Sequence, residues 1–72
     1  MTSLEYTNKI TDFTINMLKY EKEETQDNIN FFKEDLEEED IKILKEKIIK
    51  NISLLQIKLQ IINNQLESRL NA

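Results

Sequence analysis

Apolar residues recur at steps of three and four along almost the whole chain, and the two-residue alternation of a half-buried strand is absent. The second half carries the clearest pattern. Following Ile41, the positions Ile48, Ile52, Leu55, Leu59, Ile62 and Leu66 advance by 4, 3, 4, 3 and 4 residues. That is a heptad seam, with Ile52, Leu59 and Leu66 at a and Ile48, Leu55 and Ile62 at d. Lys45 and Arg69 take the seam positions at its two ends and limit the dry stretch to about three heptads. The spacing predicts one helix over about 40–70. A second stripe on this helix, Leu54, Ile57 and Ile61, lies roughly opposite the seam at 100° per residue. Two apolar sides imply two contacts: a hairpin partner and something else.

The first half also has two stripes. Tyr6, Ile10, Phe13, Met17 and Tyr20 form one, which then meets Glu24 and Asp27 before Phe31. Ile15, Leu18, Lys22, Thr25, Ile29, Phe32 and Leu36 form the other, which keeps its register across residues 21–28. This continuity favours a single helix over about 3–36. The competing reading is a break at Thr25-Gln26-Asp27-Asn28, with Asp27 capping a third helix. The pair Thr2-x-x-Glu5 has the form of a capping box and places the helix start at Ser3. A turn is expected near Glu37-Glu38-Glu39-Asp40, with Asp40 as N-cap of the next helix, where the helix dipole favours negative charge.

The architecture that follows is one all-α domain, 1–72: an antiparallel, coiled-coil-like hairpin of two nearly equal helices. Seventy-two residues make a small core, and a single core of this size supplies only ~3–5 kcal/mol. With no cysteine for a disulfide, association is the available source of further stability. The hairpin is therefore expected to self-associate, most simply as a two-fold homodimer forming a four-helix bundle. The expected core and interface residues are Ile48, Ile52, Leu55, Leu59, Ile62 and Leu66 of the seam and Leu54, Ile57 and Ile61 opposite it. From the first half they are Phe13, Met17, Tyr20, Phe31 and Phe32, the aromatics being read mainly as core. Phe31 and Phe32 are adjacent and point about 100° apart, so one of them is free for an interface.

Charge sharpens the hairpin. The net charge of −4 conceals a sign change. Residues 21–40 hold ten acids and two lysines, whereas residues 41–72 hold six cations and two acids. Folding the chain near residue 39 sets Lys42 near Asp35 and Lys50 near Asp27. Exposed pairs of this kind contribute ~0.2–1 kcal/mol each, so they select register more than they add stability.

Composition argues against chemistry. Glycine, proline, cysteine, histidine and tryptophan are absent. Without histidine the usual general base and metal ligand is missing, and without glycine no phosphate-cradling loop can form. The carboxylates of Glu37-Glu38-Glu39-Asp40 read as a solvated turn, and Asp27-Asn28-Ile29-Asn30 lacks the glycine and late glutamate of a calcium loop. No enzyme, cofactor, metal site or small-molecule substrate is expected. Lys42, Lys45, Lys47 and Lys50 are the only basic cluster, and the ten acids preceding them argue against nucleic acid. No apolar run approaches the ~20 residues of a membrane span, and the N-terminal residues lack the blocks of a signal peptide, so a cytoplasmic location is the default. Isoleucine, lysine and asparagine make up 28 of 72 residues, the signature of an AT-rich genome.

The function these features suggest is a non-enzymatic protein-interaction module: a small adaptor, inhibitor or chaperone that docks helix on helix with itself and another protein. The alternatives are a structural coiled-coil subunit of a larger hetero-complex and, from a different class, an RNA-binding hairpin dimer.

Overall fold

The computed structural model describes residues 2–71. They form three helices: α1 (Ser3–Ile10), α2 (Ile15–Glu38) and α3 (Lys42–Leu70). No strand occurs among the described residues. α2 and α3 run antiparallel and make a hairpin. α1 folds back beside α2 and packs on the C-terminal half of α3, so one end of the molecule is three helices thick and the turn end only two. The extents are 46 × 21 × 15 Å, and the long axis matches the ~44 Å of a 29-residue helix.

The capping box forms as its residue pattern predicts. The Glu5 amide donates to the Thr2 hydroxyl at 3.1 Å, and the Thr2 amide donates to the Glu5 carboxylate at 3.2 Å. α1 then stops after eight residues, and the expected continuous helix over 3–36 is divided at Thr11-Asp12-Phe13-Thr14. Residues 25–28, the competing place for a break, are helical.

The local sequence accounts for this position. The hydroxyls of Thr7 and Thr11 donate to the carbonyls four residues back, at 2.8 Å each, a pairing that weakens helix continuation. The Phe13 amide closes a tight turn onto the Ile10 carbonyl at 3.0 Å. Thr14 then caps α2 by accepting from the Met17 amide at 3.2 Å. The break also resolves a conflict of faces. In an unbroken helix Ile10 and Leu18 would sit about 80° apart at 100° per residue. With the break, both point into one core.

That core joins Tyr6, Ile10, Leu18, Ile62 and Leu66, with Phe13, Ile15 and Ile61 packed against it. Further along the hairpin, Thr25 and Ile29 of α2 and Ile52 of α3 are buried. Ile48, Leu55, Leu59, Phe32 and Leu36 are half-buried. The α3 seam is therefore the inward face of α3. On α2 the inward face is the stripe through Leu18, Thr25 and Ile29. Met17, Tyr20 and Phe31 lie outside the core, contrary to the core reading of the aromatics Tyr20 and Phe31.

The turn is Glu39-Asp40-Ile41. Asp40 is not the N-cap of α3. Ile41 holds that place and makes no side-chain cap. The Glu39 carboxylate instead accepts from the amides of Asp40 and Ile41, at 3.1 Å each, so the acid that steadies this turn lies one residue earlier.

Candidate docking site

Three helices meet at one carboxylate. Glu21 of α2 accepts a hydrogen bond from the Tyr6 hydroxyl of α1 at 3.1 Å, and the Lys58 ammonium of α3 lies 3.1 Å from the same Oε1. The Lys58 ammonium also sits 5.1 Å from the centre of the Tyr6 ring. Burial, followed by the Glu21 charge and the bond to it, pushes the Tyr6 phenol above its ordinary range. A tyrosine that holds its proton this firmly is a poor acid, and the lysine that would compete for the carboxylate is already engaged with it. The arrangement ties α1 to the hairpin and offers no free acid–base pair.

Arg69 makes the second tie. Its guanidinium donates to the carbonyls of Ile10, at 3.4 Å, and Thr11. These are carbonyls at the C-terminal end of α1, the Ile10 one shared with the Phe13 amide, and a cation there also complements the helix dipole. Arg69 thus ends the dry seam by crossing to α1. Neither tie was visible in the heptad pattern alone, which marks Arg69 only as a polar residue at a seam position.

The expected pairing of acidic and basic blocks across the hairpin does not form contact ion pairs. Among the described residues Lys58–Glu21 is the only one within 4.0 Å; Lys42 with Asp35 and Lys50 with Asp27 are not. Among the same residues, no group of three or more carboxylates is placed to hold a metal ion. A groove of about 620 Å3 runs between α2 and α3, lined by Leu66 and Leu70 together with polar residues such as Lys22, Gln26, Asn63 and Glu67.

Met17, Tyr20 and Phe31 on α2 are exposed, as are Ile43, Ile49, Leu54 and Ile57 on α3. Ile61 is half-buried and packs against the core. The stripe opposite the seam is therefore covered at its Ile61 end and open along Leu54 and Ile57. A depression of about 190 Å3 lies where this stripe meets Thr2, Ser3 and Tyr6 of α1. Phe31 and Phe32 meet edge to face with centroids 5.9 Å apart, Phe32 turned inward and Phe31 outward.

Among the described residues, no helix is long and apolar enough to cross a membrane. Compared with protein-family models, curated proteins and solved structures, the chain matches none.

Proposed function

We propose that the chain is a cytoplasmic, non-enzymatic protein-interaction module that docks by laying its outer helix faces on other helices. Its first partner is a second copy, two hairpins joining into a four-helix assembly, and the same surfaces serve an adaptor, inhibitor or chaperone role toward another protein. The observation that carries this reading is the set of large apolar side chains left open on both arms, with Tyr20 68%, Phe31 61%, Ile43 65% and Leu54 56% exposed. Single exposed apolar residues are ordinary on soluble proteins, but rows of them at helical spacing are characteristic of docking faces. Helix α1 supports the reading too: it covers Ile61 and stops there, leaving the rest of the row uncovered.

The test is the mass of purified protein by light scattering after size exclusion, compared with that of Ile57→Glu. A mass above that of one chain, lowered by the substitution while circular dichroism stays helical, supports the proposal. Equal masses at that of one chain would remove self-association and leave the open faces to a different protein.

A further inference from the structure

The open rows on the two arms have the same length and opposite charge. On α2 the row Met17, Tyr20, Glu24, Asp27 and Phe31 advances by 3, 4, 3 and 4 residues. On α3 the row Ile43, Lys47, Lys50, Leu54 and Ile57 advances by 4, 3, 4 and 3. All ten side chains are exposed. The next residue in line with each row, Phe13 in the turn before α2 and Ile61 on α3, packs against the core. Five positions are thus open on each arm, spanning about 21 Å at 1.5 Å per residue.

Resting on the self-association reading above, we infer that a second copy of this chain docks with its α3 row antiparallel along the α2 row of the first. In one register every position is matched. Met17 meets Ile57, Tyr20 meets Leu54, Glu24 meets Lys50, Asp27 meets Lys47, and Phe31 meets Ile43. Apolar residues close both ends, and two opposite-charge pairs fill the middle. Helices packed in this way interdigitate positions spaced three and four apart. Depressions of about 350 Å3 along Phe13, Met17 and Tyr20, and about 230 Å3 along Tyr20, Glu24 and Asp27, leave room for incoming side chains.

The alternatives are worse at specific positions. Pairing α2 with α2 sets Glu24 and Asp27 against other acids, and pairing α3 with α3 sets Lys47 and Lys50 against other lysines. Sliding by one heptad brings Glu24 onto Ile57, Asp27 onto Leu54 and Phe31 onto Lys50, which costs desolvation of charges without a partner. That slid register is close to the level alignment of the two arms inside one chain, where Glu21 stands beside Lys58. A two-fold pairing that keeps the arms level would adopt it. The matched register is instead offset by about five residues from that intrachain alignment and joins two different faces. It leaves one α2 row and one α3 row unused in each dimer, so further copies can add. The charged pairs select the register and the apolar ends supply the attraction.

Two experiments on the full chain test this. In the first, Glu24→Lys with Asp27→Lys, and separately Lys47→Glu with Lys50→Glu, are examined by sedimentation velocity. Each double variant is expected to associate roughly tenfold more weakly than the parent. An equimolar mixture of the two is expected to regain association, because opposite charges then face each other again. In the second, single-cysteine variants are mixed and oxidised, which the absence of native cysteine makes clean. Tyr20→Cys is expected to cross-link with Leu54→Cys, and Asp27→Cys is not. Reversed-charge variants that associate like the parent, or preferential cross-linking of Asp27→Cys to Leu54→Cys, would overturn the register and leave self-association standing. A chain that stays monomeric at every concentration would overturn both.

Discussion

Replacing Ile62 with valine should weaken the fold measurably without destroying it. Ile62 and Leu18 expose none of their surface and meet in the core that joins all three helices. Ile62→Val removes one methylene from a closed site, for a loss of ~0.5–1.5 kcal/mol. At an m-value near ~1 kcal/mol/M for a chain this small, the urea midpoint should fall by about 0.5–1.5 M. Ile62→Ala should cost ~2–5 kcal/mol, comparable to the ~3–5 kcal/mol a core of this size supplies, so that variant should be largely unfolded in buffer. Leu59 is only half-buried, and Leu59→Ala should fall at or below the lower end of that range, ~2 kcal/mol. Ile57 is exposed, and Ile57→Ala should stay within ~0.5 kcal/mol. The assay is urea unfolding followed by circular dichroism at a concentration where association is negligible. Equal midpoints for Ile62→Val and the parent, together with a large shift for Ile57→Ala, would show that α3 turns the wrong face inward.

Three further outcomes follow, two from the ties around α1 and one from the start of α3. Arg69→Ala should cost ~1.5–3 kcal/mol, the range for a hydrogen bond to a charged group, and should speed hydrogen exchange in α1 before the rest of the chain; unchanged α1 protection would contradict the tie. Because Tyr6 is held above its unfolded value of ~10, its contribution is fully present below that pH and is lost as pH rises from there through the folded value. In a Tyr20→Phe background, where Tyr6 is the lone phenol, phenolate absorbance should therefore appear together with the loss of helix, and phenolate forming at ~10 in a fully helical chain would refute the burial argument. Ile41→Asp should stabilise by ~0.5–2 kcal/mol in thermal unfolding, because Ile41 occupies an N-cap position without a side-chain acceptor; a lower melting temperature would count against that assignment.

The parts of the fold that were legible in the residue order are those governed by local spacing. The α3 seam could be read because one face keeps its phase for three heptads. The Thr2–Glu5 capping box could be read because both partners lie within one turn. The break at Thr11–Thr14 was hidden because either stripe of the first half is a valid helical face when taken alone. Its signal was the handover itself. Tyr6 and Ile10 belong to one stripe and Leu18 and Ile29 to the other, and both cannot face one core in an unbroken helix. The poor helix formers Thr11, Asp12 and Thr14 mark where the phase changes. The Glu21–Lys58–Tyr6 tie was not legible at all, because it depends on α1 folding back over residues 15 and 52 positions away. The open rows were half legible: Leu54, Ile57 and Ile61 stood out by spacing, but which of them α1 covers is a tertiary fact.

Whether the open rows bring copies of this chain together is decided by sedimentation equilibrium of the unmodified protein at several loading concentrations. The expected weight-average mass exceeds 8.6 kDa, rises with concentration and falls back as salt is raised and the lysine–carboxylate pairs are screened. A fully helical chain that sediments at 8.6 kDa at every concentration and salt would contradict it.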